Sequence, residues 1–220
     1  MRTSAIALGI AAALASGSAS AWETTLLDTN TPAREQTITS KQLGIKAASP
    51  FSIKVQLLHG GRQEGVMLVT IDTGAMKITV VPNRGMNVAQ AVSGKVRLGW
   101  KSPVREIVNP AFLDQGARNG IGWLEGFNDL LTRCGYEWVG HAGADEDGTM
   151  LTLHGLAANI PASNVILSVD EKPPYTIRLK GLLREQAFKK VDFTIATELN
   201  TVPGAKSFTI NDRLTNNGDY

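Results

Sequence analysis

The fold is indicated first by residues 51–57, FSIKVQL, in which every second side chain from Phe51 to Leu57 is apolar. This alternation places the apolar side chains on one face of an extended strand, because successive side chains of a strand point to opposite faces. A glycine-containing turn, residues 59–61, follows directly. The stretch therefore predicts a half-buried strand whose apolar face needs a second sheet to cover it.

The same alternation recurs along most of the chain. It is found at residues 76–80, 96–98, 165–169, 177–179, 191–199 and 208–210. The runs are separated by turn signals, namely Pro82-Asn83-Arg84-Gly85, Ser93-Gly94, Pro173-Pro174 and Pro203-Gly204. Many short strands with turns between them are typical of an all-β protein, an antiparallel β-sandwich or a barrel.

One segment has a different period. Its apolar residues recur at the spacing of one helical face: Trp123, Leu124, Phe127, Leu130, Leu131 and Cys134. Asp129 and Arg133 lie four residues apart on another face, where an ion pair would support a helix. Gly126 weakens the helix. We therefore expect one short or irregular helix between Gly120 and Gly135.

The N-terminal residues have the order of a secretory signal. Arg2 is followed by a small-residue apolar run and by the cleavage pattern Ala19-Ser20-Ala21. The apolar run is too short to span a bilayer. A lipid anchor would need a cysteine beside the cleavage site, where the sequence has none. The pattern predicts that residues 1–21 are a signal peptide and that the mature chain starts at Trp22 in the periplasm or outside the cell.

Composition limits the classes of partner. The remaining 22–220 segment is long enough for one domain with a good-sized core. Lys and Arg number 22 against 20 Asp and Glu, and no long run has one sign, so neither nucleic acid nor an anionic membrane is indicated. The single cysteine, Cys134, excludes an internal disulfide. It is expected to be a small buried side chain.

The last residues resemble an unfinished hairpin. A strand pattern at 209–214 is followed by the strong turn signal Asn216-Asn217-Gly218, and only Asp219 and Tyr220 come after it. A strand without its return partner would leave an open sheet edge. The expectation is a sandwich domain truncated at its C-terminus, able to associate with a partner through that edge.

Two residues are candidates for a catalytic or sugar-binding role from their local sequence alone. His154 lies at the end of an apolar run and before Gly155, where it could act as an acid, a base or a hydrogen-bond donor to a sugar. Its alternative is a structural or surface histidine. Arg84 lies in the turn after residues 76–80 and offers a fork of donors to hydroxyl groups. Its alternative is a solvated turn arginine.

Three further residues are weaker candidates. Trp123 could be a core residue or a sugar-stacking platform, Glu125 a solvated or a ligand-binding carboxylate, and Asn159 a turn residue or a ligand contact. No metal site is predicted, because the three histidines lack ligand spacing and the acidic stretch 145–148 lacks the downstream glutamate of a calcium loop. That stretch is interpreted as a solvated turn.

Four motifs together resemble the aldose 1-epimerase (galactose mutarotase)-like superfamily, and within it a poorly characterised branch. They are VVPNRGMN at 80–87, GWLEGF at 122–127, LLTRCG at 130–135, and LHG at 153–155 running on to NIPA at 159–162. The resemblance covers about residues 66–220. It implies a large antiparallel β-sandwich with a sugar site on a concave sheet face, of which this chain looks like the N-terminal portion.

The resemblance also implies a chemistry. Such mutarotases interconvert sugar anomers without a cofactor: a base takes the anomeric hydroxyl proton while an acid protonates the ring oxygen, and the opened ring closes to the other anomer. By resemblance, His154 matches a sugar-contacting histidine, with Arg84 and Asn159 helping to shape the pocket. Two departures stand out. Leu156 follows the His-Gly pair where a basic residue is usual, and the family's carboxylate base and further histidine would lie beyond Tyr220.

Three functions follow from these patterns. The first is a periplasmic carbohydrate-binding protein for a small sugar or glycoside, with anomer interconversion by general acid/base catalysis as its enzymatic form. The second is a non-catalytic carbohydrate-binding module. The third, ranked last, is a polysaccharide lyase or hydrolase, for which Tyr136 and His141 are near one another in sequence.

Overall fold

The computed structural model of the chain describes residues 20–219, so most of the expected signal peptide lies outside the described residues. Within this range the chain forms thirteen strands: β1 Ala21–Leu27, β2 Gln36–Thr39, β3 Ser52–Leu57, β4 Met67–Asp72, β5 Lys77–Val81, β6 Asn87–Ser93, β7 Val96–Leu98, β8 Gly143–Ala144, β9 Met150–Leu151, β10 Asn164–Asp170, β11 Ile177–Gln186, β12 Asp192–Thr201 and β13 Thr209–Asn216. Helical segments are short: one helical turn, α1 Ala117–Gly120, and the 3-10 helices Gly61–Gln63, Pro110–Phe112, Gly122–Gly126 and Ala157–Asn159.

Two antiparallel sheets account for most of the strands. The first has the order β1-β10-β11-β12-β13 and the second the order β2-β3-β4-β5-β6-β7, while β8 and β9 form a separate ribbon. This confirms an all-β, antiparallel sandwich of the expected class. The residues before Val66 belong to it, since β1 pairs with β10 and β2 pairs with β3.

The core lies between the two sheets. Side chains that alternate along each strand meet there, and Ile53, Ile78, Leu167 and Leu179 are fully buried. Each such side chain contributes about 1.5–3 kcal/mol when it is removed from water. The period-two pattern of the sequence therefore becomes the inner surface of a sandwich.

A long irregular segment, residues 99–163, connects β7 to β10 and is called the loop layer below. It packs over the β5–β6 turn: the N–H of Gly85 donates to the carbonyl of Ile160 (2.9 Å), and that of Ala162 to Pro82 (2.9 Å). Gly85 has φ +56, and a Cβ there would lie 2.3 Å from the carbonyl oxygen of Ala157. Only glycine permits this close approach.

The expected helix is confined to the start of its segment. Gly122–Gly126 is helical, but Leu130 and Leu131 form backbone hydrogen bonds to Val88 of β6 instead of continuing the helix. The prediction of one apolar helical face is therefore wrong: Leu131 is 45% exposed. The expectation that Cys134 is buried is also wrong, because its side chain is exposed.

Candidate functional site

A buried ion pair lies where the loop layer meets the sandwich. The Arg84 Nη2 atom lies 3.0 Å from Asp129 Oδ2, and the two side chains are 1% and 0% exposed. Arg84 Nη1 also donates to the Asn128 side-chain oxygen (3.0 Å). Burial raises the pKa of the Asp129 carboxyl, whereas the charge of Arg84 lowers it. Arg84 is thus held inside the protein and has no open surface in this structure.

Asn87 extends this ion pair into a network. Its side-chain nitrogen donates to Asp129 Oδ2 (3.0 Å), Thr132 Oγ1 (3.1 Å) and the carbonyl of Ala158 (3.3 Å). Its side-chain oxygen accepts the backbone N–H of Arg133 (3.1 Å). One amide therefore fastens two separate parts of the loop layer to the start of β6.

His154 occupies a constrained but accessible position in the loop layer. Its φ of +59 is left-handed, a conformation that costs about 1–2 kcal/mol for a residue other than glycine. Its backbone N–H donates to Gly140 and its carbonyl accepts from Gly135, both at 2.8 Å. The residue is half-buried, and within residues 20–219 its imidazole makes no hydrogen bond. Both ring nitrogens therefore keep their hydrogen-bonding capacity.

Trp123 fixes the orientation of that imidazole. The two rings meet edge to face, with centroids 5.0 Å apart and planes at 72°. Trp123 also packs against Phe127, with ring centroids 4.7 Å apart, and belongs to a small apolar cluster with Leu153 and Ala158. Its side chain is 4% exposed, and the indole N–H finds no partner in the described part of the chain. Trp123 thus supports His154 from below rather than presenting an open stacking face.

Glu125 and Asn159 differ in whether their side-chain oxygens already have partners within the protein. Glu125 accepts from Arg118 Nε (3.0 Å) and lies 3.5 Å from Arg62 Nη2, so its carboxylate is already paired. Asn159 is 6% exposed and donates to the Gln115 side-chain oxygen (3.1 Å). Its own side-chain oxygen is buried and unpartnered within residues 20–219.

The structure brings the five candidates into one region without joining them into one constellation. His154 and Trp123 are in contact, and Glu125 belongs to the same 3-10 helix as Trp123. Asn159 follows Ala158, whose carbonyl joins the Asn87 network below. The binding and catalytic roles of all five remain predictions. Among the described residues, no three His, Cys, Asp or Glu side chains are grouped to hold a metal ion.

Sequence reasoning missed the residues that hold this region together. Asp129 was expected to pair with Arg133 on a helix, but it pairs with Arg84, while Arg133 reaches Asp212 of β13 (2.6 Å). Glu185 on β11 was not noticed: its carboxylate accepts the N–H of Tyr136 (2.7 Å), and burial raises its pKa. The sequence feature that could have identified Glu185 is an acidic residue at an inward-facing position of a strand.

No helix in residues 20–219 is long and apolar enough to cross a membrane.

A solved structure from Klebsiella pneumoniae, provisionally described as an aldose 1-epimerase, is 45% identical to this chain, with a TM-score of 0.87. The match covers 91% of this chain and 53% of that one, so this chain spans about half the length of its solved relative. The fold is therefore aldose 1-epimerase-like.

No curated protein matches the chain in sequence. The model of one protein family matches residues 63–220. The chain belongs to that family, which is described as Domain of unknown function (DUF4432).

Proposed function

We propose that this DUF4432 protein binds a sugar against the loop layer and that His154 exchanges a proton with it, as in interconversion of aldose anomers. The fold, shared with a solved relative described as an aldose 1-epimerase, supports a function related to sugars. One observation carries the assignment to His154. Of the three ionisable candidates it is the one without an ion pair, because Arg84 is paired in the interior and Glu125 is paired with Arg118 near the surface.

The proposed step needs one group that accepts a proton and later returns it. Neutral imidazole takes the proton of the anomeric hydroxyl while the ring oxygen receives a proton, the C1–O5 bond breaks and the open-chain aldehyde forms. Rotation about C1–C2 and the reverse transfers close the ring to the other anomer. The second proton carrier in this scheme is water, since Glu125 is held by Arg118 and Arg62.

Trp123 acts in this scheme as a positioning residue. Its edge-to-face contact limits rotation of the His154 ring, and the paired backbone bonds of His154 fix the main chain beneath it. A rigid support of this kind favours catalysis because it reduces the ordering needed when the sugar binds.

Exchange spectroscopy between the α and β anomers of a panel of aldoses tests the proposal. We expect acceleration over buffer for at least one aldose, and His154→Gln should reduce it by about 10²–10⁴-fold. The matched control is His141→Gln, which changes an exposed histidine whose ring contacts only the adjacent carbonyl of Ala142. Equal rates for His154→Gln and the unsubstituted protein would contradict the role of His154.

A second candidate, carbohydrate binding without catalysis, is favoured by a specific observation. Two of the three ionisable candidates are neutralised by internal ion pairs, which leaves one free proton carrier where the chemistry normally uses two. Saturable sugar binding with no anomer exchange would establish this function. Absence of binding to any sugar would remove both candidates.

The proposed setting is the periplasm or the cell exterior, on the strength of the N-terminal pattern ending at Ala21. N-terminal sequencing of the exported protein tests it. We expect Trp22 as the first residue, and a product that keeps Met1 in the cytoplasm would contradict export.

A further inference from the structure

A concave site lies on the outer face of the β2–β7 sheet, on the side away from the core. It is a groove of about 780 Å³. Its floor carries polar side chains of β3 to β6, among them Gln56, Thr70 and Gln90, and its wall is formed by loop-layer residues 100–105, with Ile107 and Asn128. These floor residues alternate with the buried ones, so the strand pattern that builds the core also places them outward.

The charges of this groove all have one sign. Arg97, Lys101 and Arg105 line it, and no aspartate or glutamate does. None of the three forms an ion pair with a carboxylate in residues 20–219. A concave surface with cations and no counter-charge concentrates positive potential, which attracts anions.

The groove is also organised rather than merely charged. Arg97 Nε donates to the Gln90 side-chain oxygen (2.9 Å), which fixes the guanidinium against the floor. Trp100, 40% exposed, packs its ring on Phe127 with centroids 5.0 Å apart. Asn128 in the wall donates to the carbonyls of Val104 (3.1 Å) and Glu106 (2.8 Å). Arg97 and Trp100 are therefore held in place before any ligand arrives.

We infer that this groove binds an acidic carbohydrate, a sugar carrying carboxylate groups such as a uronic acid oligomer. The cations pair with carboxylate oxygens, the amide and hydroxyl groups of the floor bond to sugar hydroxyls, and the indole of Trp100 covers an apolar ring face. A free inorganic anion shares the first of these interactions only. The volume of about 780 Å³ and the aromatic side chain favour the sugar over the bare ion.

This inference goes beyond the proposed function, because the groove residues and the His154 region are different sets. The two sets are linked through Asn128, which lines the groove and accepts a hydrogen bond from Arg84, and through ring contacts that run from Trp100 by way of Phe127 and Trp123 to His154. Binding in the groove requires neither anomer exchange nor His154.

Isothermal titration calorimetry with three probes tests the inference: a galacturonic acid trimer, its neutral methyl ester, and inorganic phosphate. We expect the ester and phosphate each to bind more weakly than the acid by about tenfold or more. Replacing both Arg97 and Arg105 by Gln should weaken binding of the acid by about tenfold or more, and Trp100→Ala should weaken the trimer more than phosphate.

The matched control is Lys95→Gln, an exposed cation in the adjacent β6–β7 turn that does not line the groove. It should leave the affinity unchanged, and so should His154→Gln, which separates this site from the proposed sugar site. Equal affinity for the acid and its ester would overturn the inference, as would equal losses from Lys95→Gln and the double variant. Phosphate binding as tightly as the trimer would overturn the carbohydrate assignment.

Discussion

The sandwich and the loop layer are stabilised by different interactions. In the two sheets, apolar side chains such as Ile53 and Leu179 are fully buried between strands paired by regular backbone hydrogen bonds. In the loop layer, directional polar bonds add to the apolar packing of residues such as Leu130 and Ile160 on the sandwich: the Arg84–Asp129 ion pair and the three bonds donated by Asn87. Apolar burial tolerates small shifts, whereas a buried ion pair requires a fixed geometry.

This difference explains where a site can form. Fixed geometry is what a binding or catalytic group needs from its surroundings. His154 and Asn159 lie in the region held by polar bonds, and Trp123 joins them through a small apolar cluster of its own. The sandwich is the stable scaffold, and the loop layer holds His154, Asn159 and Trp123 in fixed positions on it.

The largest expected effect comes from removing the anion of the buried pair. Asp129→Ala leaves Arg84 charged, buried and without its counter-ion, so we expect a loss of about 3–5 kcal/mol in the free energy of unfolding. Urea unfolding measures it. Asp145→Ala, at a carboxylate that bonds only within its own exposed turn, is the control and should have a smaller effect. A loss below about 1 kcal/mol for Asp129→Ala would show that polar bonds do not hold the loop layer.

A core truncation tests the other region. Leu179→Ala on β11 removes a fully buried side chain from the inner face, and we expect a loss of about 2–5 kcal/mol. Because Leu179 lies opposite Leu167 and Leu199 within its sheet and belongs to neither the Arg84–Asp129 network nor the His154–Trp123 contact, the sugar affinity of the folded protein should be unchanged. Calorimetric titration of this variant, under conditions where it is fully folded, checks that. A large loss of affinity would mean that the two regions are not separable.

The sequence predicts the sandwich well because its pattern is local. Alternation at 51–57 and 165–169, with turns between such runs, identifies strands without any knowledge of their partners. Strands β1, β2, β4, β8 and β9 were not identified individually: β1 lies where the cleavage pattern ends, and β2, β8 and β9 have four residues or fewer.

The loop layer could not be predicted in the same way. Asp129 was expected to bond with a neighbour along a helix, but its partner is Arg84, which only the folded chain brings near. Motif resemblance named His154 and Trp123, yet their ring contact follows from loop geometry that no periodicity encodes. The acidic end of β11, Glu185, carried no motif at all. Residues whose role depends on distant polar partners were therefore the ones missed.

Two glycines with the same backbone conformation differ in how close the loop layer lies to them. Gly85 and Gly94 have nearly the same left-handed φ, +56 and +57, but a Cβ at Gly85 would meet the Ala157 carbonyl whereas one at Gly94 meets nothing within 4 Å. Alanine at Gly94 should cost about 1 kcal/mol in stability, the penalty of the conformation alone. Alanine at Gly85 should cost about 1–3 kcal/mol more, because the loop layer must move away. Thermal or urea unfolding of both variants measures the difference, and equal losses would contradict the close approach.

The smallest expected effect is a pH dependence within the sandwich. Arg178 of β11 forms a two-point ion pair with Asp170 of β10, and these hydrogen bonds lower the pKa of that carboxyl. A lowered folded-state pKa gives stability that is complete above the ordinary aspartate pKa of about 4 and is lost as the pH falls through the lowered value. We expect less than about 1 kcal/mol, since Arg178 is partly exposed.

Unfolding of the unsubstituted protein and of Arg178→Gln between neutral and acid pH isolates this pair. The difference in stability between the two proteins should shrink as the pH falls through the acid range. A difference that stays constant with pH would show that the pair contributes no pH-dependent stability.

NMR of the histidine side chains during titration with sugars tests most directly whether a sugar binds at His154. The chain has three histidines, His59, His141 and His154, which give resolvable imidazole signals assigned by single His→Gln substitutions. We expect a bound sugar to shift the His154 signals saturably and to leave those of His59 and His141 in place. Signals of His154 that do not move for any sugar that binds, or three histidines that move alike, would contradict it.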